Sequence, residues 1–280
     1  MTFASQTHTA NNGVVWFPLH WRNDSDSEQC EWLMGGFSTR VGGVSTAYCA
    51  EGHPAELNLG FTATDARENV EQNRRLFVEA VSGQQTTPLI TMQQIHSDQI
   101  VAITREDRKL VEPHKGDGLI TAEPGVLIGI QTADCIPVLI VDRKGRVVAA
   151  IHAGWRGTVR RIAEAGVKKM RQEYGSMPED LIAVIGTGIG RCCYSVGEEL
   201  HSEFAAQFPY AGELFETRGD ALYLDLVEAN RRQLLDAGLD AQAIRTMGGC
   251  THCQRDLFFS HRGEQGHTGR LLSVIGIRPE

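Results

Sequence analysis

Between residues 118 and 152 the chain runs almost continuously through β-branched and aliphatic residues: Gly118–Thr121, Val126–Thr132, Ile136–Asp142 and Val147–His152. Apolar runs of about four to eight residues bounded by turn residues read as strands, and runs without polar alternation read as strands covered on both faces. Links such as Asp142-Arg-Lys-Gly145 are too short to hold a crossover helix, so several of these neighbours are expected to pair antiparallel. Such a chain must build sheet first and supply further layers to bury it.

Helical spacing identifies those layers. From Gly157, the residues Val159, Ile162, Ala163, Val167, Met170 and Tyr174 recur on one face, and Gly175 follows as a C-cap. Asp65 with Glu68 resembles a capping box opening a helix towards Val81, and further helices are expected over 196–208 and 226–237. A fifth short run, Ile100–Thr104, reads as another strand. The expected fold is α/β (α+β mixed), with mixed β-sheets covered by helices. No repeat, low-complexity stretch or Pro/Ser-rich linker divides the 280 residues, so 14–280 is expected to form one domain. Residues 1–13 are polar and expected to fray.

A net charge of −8 argues against a broad nucleic-acid-binding face, although it leaves room for a local basic pocket that holds a small anion. No apolar run of about 18 residues is present, so no membrane helix is expected. The N-terminal residues lack a basic segment followed by an apolar one and read as no secretory signal. Seven irregularly spread cysteines suit a reducing compartment, hence a cytoplasmic location.

Three segments put a metal-capable side chain at a strand end or its adjoining turn: Gln93-Gln-Ile-His96, Gln131-Thr-Ala-Asp-Cys135-Ile-Pro and Ala149-Ala-Ile-His152-Ala-Gly-Trp-Arg156-Gly. Zinc accepts a two-histidine, one-cysteine set, and three protein ligands leave a fourth position open. Taken singly, Cys135 also reads as core filler and each histidine as a hydrogen-bonding residue. A second feature is Ala183-Val-Ile-Gly186-Thr-Gly188-Ile-Gly190-Arg191-Cys-Cys-Tyr194, a strand entering a glycine-rich loop. Such a loop can offer backbone N–H groups to an anion, with Arg191 adding charge, or it can be a tight turn; it matches neither the dinucleotide nor the P-loop pattern. Cys250-Thr-His252-Cys253 resembles half of a zinc knuckle without a second Cys-x-x-Cys, and Cys192-Cys193 reads as packing.

Taken together, Gly36-Phe-Ser-Thr-Arg40-Val-Gly-Gly-Val-Ser45, Asn58-Leu-Gly60, Asn73-Arg-Arg75, Gln93-Gln-Ile-His96, Asp117-Gly-Leu-Ile-Thr121, Thr132-Ala-Asp-Cys-Ile-Pro137, His152-Ala-Gly-Trp-Arg-Gly157, Gly190-Arg-Cys-Cys-Tyr194 and Phe258-Phe-Ser-His-Arg262 resemble the YfiH family. This is the laccase-domain or "polyphenol oxidase" family, of purine nucleoside phosphorylase type. The resemblance spans roughly residues 35–277 and rests most on Thr-Ala-Asp-Cys followed by His-Ala-Gly-Trp-Arg-Gly. It implies a four-layer α-β-β-α, CNF1/YfiH-like fold and zinc (Zn2+) held by His96, Cys135 and His152. It also implies phosphorolysis of adenosine, inosine, guanosine and methylthioadenosine, with deamination of adenosine. The partners implied are a purine nucleoside and phosphate, with no nucleic acid, no membrane and a monomer or weak homodimer. The chain departs from the family pattern at Arg191 and Ser195.

For proton transfer in deamination, Asp134 and Asp117 are the carboxylates nearest in sequence to the ligand positions. Asp134, next to a ligand in an extended run, would point to the opposite face, which keeps Asp117 in contention. The zinc cytidine-deaminase signature is absent. For phosphate, the candidates are Arg156 and the loop of Gly186, Gly188 and Gly190, with Arg40 third, since a guanidinium makes paired bonds to oxyanions. Three alternatives remain open on residue chemistry. A copper polyphenol oxidase would need closely paired histidines, and no His-x-His occurs. A metal-free hydrolase would use Cys135 as nucleophile and His152 as base. A structural zinc protein would close its shell with a fourth ligand such as His53 or Cys250.

Overall fold

The computed structural model describes residues 7–19, 30–49, 52–109 and 112–279. Its centre is two six-stranded sheets packed face to face. The first runs His8–Thr9, Val15–Pro18, Leu33–Ser38, Leu271–Ile277, Val126–Thr132 and Leu89–Ile90, antiparallel except for the last pair. The second runs Ile244–Thr246, Leu181–Ile185, Ile136–Asp142, Val147–Ala153, Gly118–Thr121 and Ile100–Ala102. Its two outer pairs are parallel and its inner pairs antiparallel.

The continuous apolar runs now have a use on each face. In the second sheet, Leu139, Val141, Val148 and Ala150 face the first sheet and meet Ile128, Ile130, Leu271 and Ile275. The intervening Val138, Ile140, Ala149 and Ile151 face outward onto helices Ile162–Tyr174 and Leu226–Asp236. On the far side, Leu127, Leu272 and Val274 carry helix Arg67–Ser82 through Phe77, Val78 and Val81. The order of layers is helix, sheet, sheet, helices, a mixed α/β architecture of the four-layer kind. The two-faced burial is what removes polar alternation from these strands.

Three expectations shift in detail. The helix read from Gly157 to Tyr174 is two helices, Trp155–Val159 and Ile162–Tyr174, because Arg161 turns left-handed at φ 63°. Asp65 makes no capping box, since the helix begins after Ala66 without a side-chain cap. The Asp65 carboxylate instead accepts from Ser45, Asn58 and Asn69. Residues 7–13, expected to fray, include His8–Thr9 paired with Val15 and Trp16, because a two-residue strand on an edge still satisfies backbone groups. The remainder of that expectation, residues 1–6, lies outside the described residues.

Candidate metal centre and cleft

The inter-sheet parity that buries Val148 and Ala150 also aims His152, two residues on, towards the same side. His152 is 3% exposed, at the end of its strand, and its hairpin partner strand begins directly after Cys135. His96 reaches the same point from a turn after Gln93–Gln94. The donor atoms of His96, Cys135 and His152 all lie within 4.8 Å of one another, and the two imidazoles meet edge to face at 5.0 Å.

Asp117 assembles this centre. Its fully buried carboxylate accepts the consecutive backbone N–H groups of Ile95 (3.3 Å), His96 (3.0 Å) and Ser97, the Ser97 hydroxyl (2.7 Å) and His152 Nδ1 (2.8 Å). Three successive amides wrapped on one anion form a nest, which holds His96 in the left-handed region at φ 56°. With Nδ1 committed to Asp117, His152 keeps Nε2 for the centre, the arrangement of metal-ligating histidines. Burial alone would raise the Asp117 carboxyl, but the bonds from His152 and Ser97 hold it below its ordinary value. Burial would likewise raise the Cys135 thiol, yet the charge and hydrogen bond of His152, with His96, bring it down to about 6. The converse interaction with Cys135 and Asp117 overcomes burial and lifts His152 to about 9. In the metal-free centre these directions favour a thiolate–imidazolium pair between the two values.

Gly154 closes the back of the site. A Cβ at this position would stand 3.1 Å from Cys135 Sγ and 3.2 Å from His96 Cδ2, so only glycine leaves the ligand space clear. One thiolate and two imidazoles, with His152 held by Asp117, suit a borderline-soft divalent cation. Neither expected fourth ligand joins the set: His53 is exposed elsewhere, and Cys250 sits among other cysteines.

The centre opens into a cleft of about 500 Å³ lined by Met92, Gln94, Gln131, Thr132, His261 and Arg270 among others. Gln94 and Gln131 form one wall by a reciprocal pair, side-chain amide to Gln131 O (2.8 Å) and Gln131 N–H to Gln94 Oε1 (2.7 Å). The Arg270 guanidinium donates to the carbonyls of Thr268 and Gly269, which fixes it at the cleft.

The other candidates separate sharply. Asp134, at φ 85°, turns its carboxylate away to accept from Thr251 Oγ1 (2.6 Å), Ser260 Oγ (2.7 Å) and Arg262 N (2.6 Å). It clamps the turn before Cys135 instead of facing the candidate centre. Arg40 is buried between Glu56 (2.8 Å) and Glu264 (3.0 Å) and over the Phe259 ring, so its guanidinium is occupied by structure. The loop of Gly186, Gly188 and Gly190 is a tight turn that engages three of its amides within the fold. Gly186 N–H goes to Pro137 O, Ile189 N–H to Asp134 O and Gly190 N–H to Cys250 Sγ. A Cβ at Gly186 or Gly188 would lie 2.4 Å from Phe37 or Ile136, which is why glycine stands there. Arg191 pairs with Glu216 at 3.2 Å. Arg156 is exposed and lies over Trp155. With Arg262 it tempers the half-buried Tyr194 hydroxyl, pushed up to about 12 by burial and the neighbouring Cys135.

Sequence reasoning did not single out Gln94, Gln131, His261 or Arg270. His261 lies within the Phe258–Arg262 segment and Arg270 directly before strand Leu271–Ile277, and only their return beside residues 131–135 puts them at the cleft.

A four-layer α-β-β-α protein carrying one compact His2Cys constellation at the rim of its sheets is the class that this fold and site define. Within it, the chain belongs to the family described as multi-copper polyphenol oxidoreductase laccase, whose model matches residues 34–278. It is 37% identical over 265 residues to the purine nucleoside phosphorylase YlmD of Geobacillus stearothermophilus, covering 89% of this chain and 95% of that protein. It is 33% identical over 244 residues to the purine nucleoside phosphorylase YfiH of Escherichia coli, covering 86% and 92%. The crystal structure of the hypothetical protein YfiH from Bacillus licheniformis superimposes with a TM-score of 0.83 at 30% identity, over 97% of this chain and 99% of that one.

Proposed function

We propose that this chain is a zinc-dependent purine nucleoside phosphorylase that splits adenosine, inosine, guanosine or methylthioadenosine with phosphate, and that deaminates adenosine at the same site. The observation that carries it is the His96–Cys135–His152 constellation, anchored by Asp117 and open to a polar cleft, in a chain whose relatives bear that enzyme name. Copper oxidation fits the residues less well. Among the described residues the centre is a single three-ligand set, with no further histidine cluster to hold additional copper ions.

When bound, zinc supplies a Lewis-acid centre at the foot of the cleft. His96, Cys135 and His152 hold it, and Asp117 keeps His152 in the ligating tautomer. In phosphorolysis, a phosphate oxygen forms a bond to ribose C1′ as the bond from C1′ to the purine nitrogen breaks. The electron pair leaves with the purine, which takes up a proton. Arg270 lines the cleft and is our candidate to orient phosphate by its planar fork, with Arg156 beside Tyr194 a second cation. The Gln94–Gln131 wall lines the cleft as a fixed polar face against which a purine can lie. Asp117 and Asp134 act as positioning residues, because each carboxylate already accepts three or more hydrogen bonds within the fold.

Incubation of the zinc-loaded protein with adenosine, with and without phosphate, tests this reading by chromatography. Adenine and ribose 1-phosphate are expected only when phosphate is present, alongside inosine in both mixtures. Unchanged adenosine in both would overturn it. A second reading is favoured by the thiolate–imidazolium pair itself, which is the equipment of a cysteine nucleophile. Iodoacetamide separates the two: zinc is expected to protect Cys135 from alkylation, and labelling of Cys135 at an undiminished rate under saturating zinc would favour the nucleophile.

A further inference from the structure

Two turns far apart in sequence bring four sulfur atoms to one point. Cys192 and Cys193 lie in the turn after Gly190, and Cys250 and Cys253 in the turn after Gly249. The sequence offers Cys250-Thr-His-Cys253 as half of a knuckle with no partner and Cys192-Cys193 as packing; the structure pairs the two halves. All four Sγ atoms lie within 4.8 Å of one another, with Cys192 to Cys253 at 3.7 Å and Cys193 to Cys253 at 3.3 Å.

We propose that Cys192, Cys193, Cys250 and Cys253 form a second metal site, a closed tetrathiolate site for one structural zinc ion, separate from the His96–Cys135–His152 centre. Tetrahedral zinc with Zn–S of about 2.3 Å places its sulfurs about 3.8 Å apart, close to the separations found, whereas a disulfide needs about 2.05 Å. Multi-iron clusters hold their cysteine sulfurs farther apart than this group spans. Burial does not account for the convergence, because Cys192 and Cys253 are exposed and gain nothing as core filler.

The backbone supplies an independent sign. The buried Cys250 sulfur accepts the N–H of Gly190 at 3.2 Å, and the N–H groups of His252 and Cys253 point at it as well. Amides gathered on one sulfur serve a thiolate, the form in which cysteine binds metal. Gln254 N–H closes the Cys250 turn on Cys250 O (3.0 Å), and the Cys193 and Tyr194 N–H groups close the other on Gly190 O. Four protein ligands complete a tetrahedral shell, so the site is structural and leaves no position for substrate.

Its place in the fold says what it holds. Thr251, between two of these cysteines, donates to the Asp134 carboxylate, and Asp134 precedes Cys135. Tyr194, following Cys193, lies in the electrostatic field of Cys135. An ion here ties both turns behind the first centre and fixes the Asp134 clamp.

Elemental analysis of the purified full chain tests the proposal. Two zinc ions per chain are expected in the parent protein, and one in the His96→Ala/His152→Ala variant, which leaves the four cysteines untouched. Cobalt in that variant is expected to give a tetrahedral d–d band with intense thiolate-to-metal charge transfer. The Cys192→Ser/Cys253→Ser variant is expected to lose this one equivalent; if it fails to fold, the histidine variant still decides. A single zinc in the parent, lost entirely from the histidine variant, would overturn the site. So would disulfides at these cysteines in freshly purified protein, found by mass spectrometry without reduction.

Discussion

At the scale of single residues, Asp117 and Cys135 set what the candidate centre can bind and when. Metal-free, the pair carries one proton on His152 between the Cys135 value of about 6 and the His152 value of about 9. Metal needs the thiolate and a neutral imidazole, so loading releases one proton from this pair inside that window, two below it and none above. The pair is therefore expected to make apparent zinc affinity rise about tenfold per pH unit between 6 and 9 and level off above, as read by calorimetry in buffers of different ionisation enthalpy. An affinity that falls with pH in that window would contradict the ligand set. The three residues of the candidate centre stood out in the sequence because each ends a strand or begins a turn and because their segments resemble the YfiH family. The roles of Asp117 and Asp134 did not. Both are acidic residues near ligands in the chain, and only the direction of hydrogen bonds separates an anchor for His152 from a clamp on Thr251 and Ser260.

At the scale of elements, strands Gly118–Thr121, Val126–Thr132 and Ile136–Asp142 fall where the apolar runs placed them. They were legible because two-faced burial leaves an uninterrupted aliphatic signal. Strand Leu33–Ser38 was hidden by Gly35 and Gly36, which depress strand propensity. Their reason is contact: a Cβ on Gly36 would stand 2.4 Å from Phe17 O. The glycine loop after Leu181–Ile185 reads differently in space, since the amides of Gly186, Ile189 and Gly190, which look free in sequence, are engaged within the fold. Gly186→Ala should then act on packing and not on phosphate binding. A loss of about 1–3 kcal/mol in chemical denaturation is expected from overpacking against Phe37, with KM for phosphate unchanged. A raised KM for phosphate at unchanged stability would restore the anion-cradle reading.

Across the whole molecule, the two sheets share one apolar layer, and Leu139 stands within it at 1% exposure. Leu139→Ala is expected to cost about 2–5 kcal/mol, seen as a lower urea midpoint with an unchanged slope. A change below about 1 kcal/mol would mean that the sheets repack freely, contrary to a close-packed interior. The existence of covering layers could be read from composition and periodicity, but the pairing of the sheets could not, because it depends on contacts between distant segments. Strand Leu271–Ile277 shows this most clearly: it lies in the middle of the first sheet, between Leu33–Ser38 and Val126–Thr132. Its insertion has a consequence for biosynthesis. A nascent chain leaving the ribosome holds all three residues of the candidate centre before the strand that completes the first sheet, or the Ser260–Arg262 turn that grips Asp134. Folding dominated by such distant pairing is slow. The residues of the candidate centre are therefore held in their final geometry only after strand Leu271–Ile277 has been synthesised and inserted.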